Sequence, residues 1–564
     1  MTSTDPPLPK ICGFPSEIWM GIAGRRNLEN LVATCRTFRS IFTEFRDRHQ
    51  VISLHKHTVK TRPEDPLPSW LASTQTLDVG FGERRIDGYK EGWNDIYAHH
   101  ITKLIKAMPN LNSFSFSVDN TFQELNGLAL IIQSEELLTT LATCPKFLHL
   151  AATFWHVNPD QFHAPAHGIR SYIPIKGFRN LKSLEIYQFR QADDNVFISE
   201  LVQTLYNCPQ LKKLGVGQEC DFDQLYSHEY LLHYDNTDVL EQICKRYSAN
   251  ESTIPLELTT LRLGYGMFLF NSDSAVNENY LSKLVKLDGL KALHIWNGAI
   301  KREEDDDWSV AEHKWSMLKE CTALRHVEVM VLNDGVLKWL NHHCILIEEL
   351  VVTGHFNKEE GDVRAWDKLS SLKLTMLVVH ESTCPCEDDG DDIEYAEDEE
   401  HTPGILMGIR GTRKISVLDR YFGFRLTRLS ICMTFKYQWK QFANHLRAMP
   451  KLTQLHIQYR YHCHAGQFPD NSRWGGVTSP KDIAWLYARL AKWHCPSLQY
   501  VAIGSWAWHV KAEPGVELRS EWDIGDGIKL RELYRDEMLS IELFRYDREG
   551  RKAGLSDVRP GLEL

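Results

Sequence analysis

A short pattern of apolar and variable positions recurs along most of the chain. It consists of an apolar residue, two variable residues, a second apolar residue, one variable residue and a third apolar residue. The alternation over its last positions is typical of a strand that buries one face. The copies are LNSFSF at 111–116, LKSLEI at 181–186, LKKLGV at 211–216, LTTLRL at 258–263, LKALHI at 290–295, LRHVEV at 324–329, LTRLSI at 426–431, LTQLHI at 452–457 and LQYVAI at 498–503, with weaker copies FLHLAA at 147–152 and IEELVV at 347–352.

Most copies follow a stretch with apolar residues at helical spacing, such as Ile198, Leu201, Val202 and Leu205 before the copy at 211. A Cys-Pro or Met-Pro pair often lies between the two and predicts the end of the helix. The repeating unit is therefore a helix, a tight turn and a short strand. Five copies have a cysteine three residues before their first apolar position: Cys144, Cys208, Cys321, Cys344 and Cys495.

One such unit cannot bury its own apolar face, so neighbouring units must stack around a continuous core. The sequence predicts an α/β solenoid over residues 73–508. An ordinary α/β protein also has apolar strands after helices, but it does not explain the constant offset from cysteine to strand. The pattern resembles the long, irregular form of the leucine-rich repeat that contains helices and has a cysteine before the strand.

Three segments depart from the repeat. Residues 49–72 are rich in proline and are interpreted as a linker. Residues 382–404 are predicted to be an acidic, disordered insertion, since residues 387–400 carry ten acids and no lysine or arginine. Residues 509–564 are interpreted as a C-terminal cap or tail, in which the ELYRD and ELFRYD runs form edge strands or a final cap.

Composition narrows the class of protein. Of the 564 residues, 43% are hydrophobic and 25% are charged, which excludes wholesale disorder. No apolar run approaches the ~18 residues of a membrane span, and the N-terminus lacks a secretory signal. The net charge of −11 comes almost entirely from the acidic tract, so we expect neither a nucleic-acid nor a membrane partner. Thirteen cysteines without an export signal predict free thiols and a cytoplasmic or nuclear location.

A separate helical module is predicted over residues 8–48. Pro15, Ser16 and Glu17 are typical of a helix start, and helical apolar spacing continues over two or three short helices. So small a module rarely folds unaided. It either packs on the solenoid as a helical N-terminal cap or is completed by another protein.

This segment resembles an F-box, the motif that docks substrate receptors onto the small Skp-family adaptor of SCF cullin–RING ubiquitin ligases. Phe14-Pro15-Ser16-Glu17 corresponds to the opening of the motif, and Cys35-Arg36 and Phe38-Arg39 correspond to its later half. Between Ile22 and Leu28 the segment is about three residues shorter than the family's motif. The residues that the resemblance implies in adaptor binding are Phe14, Pro15, Ile18, Ile22, Leu28, Leu31, Cys35, Phe38 and Ile41.

The sequence contains no recognisable catalytic motif. It lacks a P-loop, an HExxH zinc motif and a GxSxG nucleophile elbow. Cys384-Pro-Cys386 and His462-Cys463-His464 have metal-ligating residue types, but they do not form the paired groups of a structural zinc site. We therefore expect neither a metal nor a cofactor, and no enzyme activity.

Function is then expected at the variable strand positions, which point away from the buried ones. Aromatic and arginine side chains are frequent interface anchors. The candidate target-binding residues are Glu185, Tyr187, Arg262, His294, Trp296, His326, Glu328, Arg428 and His456.

Together these features predict a substrate-recognition subunit of an SCF-type ubiquitin ligase, whose target protein the sequence does not identify. One alternative is an interaction scaffold whose degenerate F-box does not bind the adaptor. Another is an enzyme whose site is not recognisable in the sequence.

Overall fold

The structure is a computed structural model. It describes residues 48–53, 66–80, 93–117, 134–153, 174–189, 194–218, 239–250, 253–264, 267, 269, 279–295, 315–329, 334–344, 346–353, 372–380, 423–433, 435–459, 480–512, 527–533, 537–538 and 541–545. The predicted F-box residues 14–41 and the acidic tract 387–400 lie outside these ranges, as does Trp296.

The described residues form one sheet of sixteen strands. The strands are β1 His49–Ser53, β2 Thr76–Gly80, β3 Ser113–Ser117, β4 His149–Thr153, β5 Ser183–Phe189, β6 Lys213–Gln218, β7 Thr260–Leu263, β8 Ala292–Ile295, β9 His326–Val329, β10 Glu349–Thr353, β11 Met376–His380, β12 Arg428–Met433, β13 Gln454–Tyr459, β14 Tyr500–Ile503, β15 Trp506–Ala512 and β16 Ile528–Glu532.

The strands lie in the sheet in the same order as in the chain. Neighbouring strands from β1 to β14 are parallel, whereas β15 and β16 each pair antiparallel with the strand before them. Sequential order in a parallel sheet is the arrangement of a stacked repeat array. The fold is therefore mixed α/β, with a solenoid-like repeat, as the sequence predicts.

Each of the eleven predicted copies coincides with a strand. The first apolar position lies in the turn before the strand, and the second and third lie on the buried face. Leu181, Leu184 and Ile186, for example, are all fully buried.

The sheet extends further than the predicted solenoid. Strand β1 lies within the predicted linker, because Ile52 enters the core and the segment pairs in parallel with β2. Strand β11 carries the pattern LTMLVV at 374–379, which fills the longest gap between predicted copies. In β2 the first apolar position is Thr74, which is buried because its hydroxyl donates a hydrogen bond to the carbonyl of Trp70 at 3.0 Å.

Eight α-helices lie among the described residues, and those between parallel strands cross one face of the sheet. Their buried residues recur at helical spacing, as in Leu137, Leu138 and Leu141, and Ser134 caps that helix by accepting from the Leu137 N–H. The helices are α1 Trp93–Lys106, α2 Glu135–Thr143, α3 Asp194–Asn207, α4 Val239–Ser248, α5 Leu281–Leu284, α6 Asp334–His343, α7 Phe435–Arg447 and α8 Pro480–His494; 3-10 helices span Ser69–Ser73, Leu287–Gly289, Trp315–Leu318 and Glu542–Arg545.

The cysteines before the strands connect neighbouring repeats. Cys208 Sγ accepts from the Leu181 N–H at 3.3 Å, and Cys495 Sγ donates to the Met449 carbonyl at 3.4 Å. Of the five, Cys144 is half-buried and the other four are buried, and all are free thiols. Burial raises the pKa of each of these thiols, which keeps the unreactive protonated form.

The core lies between the helices and the sheet and runs continuously from β1 to the C-terminal strands. A second, smaller apolar cluster lies on the opposite face of the sheet. Its members are Val351, Met376 and Val378 on β10 and β11, Ala502 and Ala507 on β14 and β15, and Leu533, Leu543 and Phe544 of the C-terminal segment. Leu533, Leu543 and Phe544 therefore cover the C-terminal part of the face that the helices leave open.

Candidate functional site

The candidate site is the face of the sheet opposite the helices, called here the open face. Its middle row comprises the residues between the second and third apolar positions of each strand. The parallel register aligns Glu185, Gly215, Arg262, His294 and Glu328 in this row on β5 to β9. Neighbouring strands are about 4.8 Å apart, so side chains in one row interact directly.

The first cluster on this face is built around Glu185. One carboxylate oxygen, Oε2, accepts from Arg262 Nη1 at 2.9 Å and from the Tyr187 hydroxyl at 3.0 Å. The other oxygen, Oε1, forms an ion pair with Lys213. Two cations and one carboxylate leave this cluster with one net positive charge.

Tyr187 lies across β6 because that strand has glycines on the open face. A Cβ atom on Gly215 would be 2.1 Å from the Tyr187 hydroxyl oxygen, and one on Gly217 would be 3.2 Å from the Tyr187 ring. Any larger residue at position 215 displaces the tyrosine. The glycines of the LKKLGVG segment are thus part of the site, since they provide space for the aromatic ring.

The charges of this cluster are fixed by its surroundings. Burial favours the neutral carboxyl, but attraction from Arg262 and Lys213 outweighs it and lowers the pKa of Glu185. Burial, together with the negative charge of Glu185, raises the pKa of Tyr187 well above its ordinary value. The cluster therefore presents an ionised carboxylate, two cations and a neutral phenol at neutral pH.

A second cluster lies on β8 to β12. His294 Nδ1 is 2.5 Å from Glu328 Oε2, and His326 Nδ1 is 2.8 Å from Glu349 Oε2. Arg428 crosses over β11 to form an ion pair with Glu349 on β10. The two imidazole rings lie beside each other, with 4.8 Å between their centroids. The polar side chains thus continue from β5 to β12 without a gap wider than one strand.

The pKa values of the two histidines are shifted in opposite directions. Burial lowers the pKa of His294 to about 4, and attraction to Glu328 offsets this only in part. The pKa of His326 is raised, because attraction to Glu328 and the hydrogen bond to Glu349 outweigh its burial. For Glu328, attraction to both histidines and the hydrogen bond from His294 outweigh burial and hold its pKa well below the ordinary range.

His456 is not available to a partner in this structure. Its side chain is 2% exposed, and its ring lies 5.7 Å from the ring of Phe544 in the C-terminal segment. Its Nε2 accepts from the Gln458 side-chain amide at 2.7 Å. The predicted candidate is on the open face, as expected, but under the chain's own C-terminal segment.

The structure brings seven of the nine predicted target-binding residues into the two clusters: Glu185, Tyr187, Arg262, His294, His326, Glu328 and Arg428. Sequence reasoning missed Lys213 and Glu349. Both occupy the position directly before the second apolar residue, the same position as His326 and Arg428, so the pattern contained the signal. Sequence reasoning also did not group His294, His326 and Glu328, whose ligand atoms lie within 4.8 Å of one another.

No protein-family model matches this chain, and no curated protein sequence matches it. Across the residues that the structure describes, none of the helices has the length and apolarity needed to cross a lipid bilayer.

Proposed function

We propose that this chain is the target-binding subunit of an SCF-type ubiquitin ligase, with a leucine-rich-repeat-like solenoid that binds the target protein through its open face. The observation that carries the proposal is the array of charged and aromatic side chains from Glu185 on β5 to Arg428 on β12, interrupted at the apolar strand β11, in which Lys213, Arg262, Glu349 and Arg428 are partly exposed. Such side chains, fixed on rigid strands, are typical of protein-binding surfaces.

The N-terminal module supplies the second half of the proposal through its resemblance to an F-box. In this mechanism the module holds the Skp-family adaptor and the open face holds the target. The effective concentration of target lysines near the transferring enzyme then rises. The chain itself acts by binding, and the chemistry belongs to its partners.

Adaptor binding is tested with the purified full chain and a Skp-family adaptor in an assay sensitive to micromolar affinity. Burying a phenylalanine contributes ~1.5–3 kcal/mol, so we expect the double variant Pro15→Ala, Phe38→Ala to weaken binding by roughly a hundredfold. A matched control removes two exposed apolar side chains of the solenoid, Ile254→Ala with Phe424→Ala, which are 79% and 67% exposed. This control should bind like the wild type.

Target binding is tested by capture of proteins on the full chain and on the variant Lys213→Ala, Arg428→Ala. Targets of the open face are the proteins that the wild type retains and this variant loses. Lys338→Ala, on the exposed side of helix α6, serves as the control.

The shortened motif between Ile22 and Leu28 favours one second candidate, an interaction scaffold without adaptor binding. It predicts that the open face captures targets while the wild-type chain leaves the adaptor unbound even at micromolar concentrations. That result would contradict the ligase proposal and support the scaffold.

A further inference from the structure

We propose that His294, His326 and Glu328 form a binding site for a divalent transition-metal ion of the zinc type. Each offers one ligand atom, and these atoms lie within 4.8 Å of one another. The three side chains are 3%, 9% and 1% exposed, so the site is enclosed by protein. This inference goes beyond the proposed function, which does not depend on it.

The donor atoms lie near the spacing that ligands of one ion require. Zinc bonds of about 2.0–2.2 Å in tetrahedral geometry place two ligand atoms about 3–4 Å apart. His326 Nε2 lies 3.9 Å from Glu328 Oε2, which is too long for a hydrogen bond and within reach of a shared ion. The same oxygen lies 2.5 Å from His294 Nδ1, which is closer than two ligands of one zinc ion, so these two atoms must move apart by about 1 Å when an ion replaces the proton between them.

An unpartnered nitrogen points independently to a ligand. His326 Nε2 is buried and has no hydrogen-bond partner. The other nitrogen of the ring, Nδ1, donates to the Glu349 carboxylate at 2.8 Å, and Arg428 holds that carboxylate in turn. Metal-binding histidines commonly have such a carboxylate behind them, because it fixes the ring and leaves the opposite lone pair for the metal.

The ligand types favour one class of metal. Two imidazoles and one carboxylate suit zinc and neighbouring first-row ions, whereas calcium and magnesium require mostly oxygen ligands. Three protein ligands also leave a fourth position open. Arg262 lies one strand away and interacts electrostatically with Glu328, so its positive charge opposes the ion. Replacing it should therefore strengthen binding.

The arrangement also explains why spacing motifs miss the site. His326 and Glu328 are two residues apart on β9, and His294 comes from β8, which precedes it by a whole repeat. The parallel register, rather than a local sequence motif, places His294 opposite Glu328.

The test is a titration of the chelator-stripped full chain with Co²⁺, followed by visible absorption, and then competition with Zn²⁺. We expect one ion per chain with the intense bands of four-coordinate cobalt. His294→Asn and Glu328→Gln should each weaken binding at least a hundredfold, and Glu349→Gln ten- to a hundredfold. Arg262→Gln should tighten it severalfold. His149→Asn, in the same row as His326 but on β4, should leave it unchanged.

Two results would overturn the site: wild-type protein without saturable four-coordinate bands, or wild-type affinity in both ligand variants. If the variants fail to fold by circular dichroism, the wild-type spectrum alone decides the question. Adaptor capture by the metal-stripped chain separates this inference from the proposed function, because that capture should not change when the metal is removed.

Discussion

Strands β5 to β9 and strands β10 to β14 share one parallel register, yet their open faces carry different kinds of side chain. In the first group the middle row carries Glu185, Arg262, His294 and Glu328, which form ion pairs and hydrogen bonds across strands. In the second group Val351, Val378 and Ala502 fill three of the five positions of the same row, and Ser430 and His456 occupy the other two. Apolar side chains on an open face require a cover, and Leu533, Leu543 and Phe544 provide it.

The comparison shows that the backbone repeat decides where side chains lie but not what they do. The side chain in the middle row determines whether a strand presents a polar surface or holds the C-terminal segment. The accessible part of the polar face is therefore formed by the partly exposed side chains of Lys213, Arg262, Glu349 and Arg428. His294 and Glu328 lie buried between them.

The largest effect on stability is expected from a charge placed among the covered apolar side chains of β10 and β11. Val351→Glu puts a carboxylate into the covered apolar cluster, beside the Glu328 carboxylate on β9. We expect the free energy of unfolding to fall by ~3–5 kcal/mol, measured by urea denaturation. Val351→Ala, which only shortens the side chain, should cost ~1–2 kcal/mol. Equal stability of Val351→Glu and the wild type would show that the segment does not cover β10.

The converse change removes the negative charge of Glu185 from the cluster on β5 to β7. Glu185→Gln leaves Arg262 and Lys213 without their shared carboxylate, and we expect a loss of ~2–3 kcal/mol in the free energy of unfolding. The control is Glu257→Gln, because Glu257 forms only exposed ion pairs with Lys212 and Lys286 and should change stability by less than ~0.5 kcal/mol. Similar losses in both variants would contradict the view that Glu185 organises its cluster.

Acid should lower the free energy of unfolding because His456 is buried in its neutral form. Burial, with repulsion from His380, lowers the pKa of His456 from 6.5 to about 3. The unfolded chain therefore takes up a proton below pH 6.5 that the folded chain does not, and stability falls as the pH falls. The limiting slope is ~1.4 kcal/mol per pH unit between about pH 6 and pH 4.

Urea midpoints of wild type and His456→Gln across this range measure that contribution. The difference in slope between the two proteins should disappear above about pH 7. His342→Gln, at an exposed position, should follow the wild type. If His456→Gln kept the full wild-type slope, a group other than His456 would cause the acid sensitivity.

The smallest effect is expected from a change in the packing of Tyr187 against β6. Gly215→Ala places a methyl group against the Tyr187 hydroxyl, so the ring must move off Glu185. We expect a loss of ~1–2 kcal/mol in the free energy of unfolding and a changed tyrosine near-ultraviolet circular-dichroism signal. A Cβ atom on Gly289 meets nothing within 4 Å, so Gly289→Ala should leave that signal unchanged. Wild-type signal and stability in Gly215→Ala would contradict the packing of Tyr187 over β6.

Most strands were predictable because a polar or small residue in the middle row makes the apolar positions on either side stand out. Strand β11 was passed over because Met376 and Val378 fill its polar positions, so LTMLVV lacks alternation. Strand β2 was missed because Thr74 occupies an apolar position by means of a local hydrogen bond.

The candidate residues followed from strand alternation, but their partners did not. Glu185 reaches Arg262 across β6, and Arg428 reaches Glu349 across β11. Such pairs depend on which neighbouring side chain is small or apolar, in strands separated by loops of variable length. The cover formed by Leu543 and Phe544 depends on the path of the chain after β16, which no periodicity encodes.

The charges on the last strand of the sheet have a consequence for assembly. A parallel stack that ended at β14 would present a free edge on which β1 of another copy could continue the ladder, and successive additions would build a filament. The antiparallel pair instead ends the sheet with β16, where Lys529, Arg531 and Glu532 are exposed. Strand β16, antiparallel to β15, again runs in the direction of β1 to β14. Its row of exposed charges, rather than its direction, therefore opposes the addition of a further strand at this end.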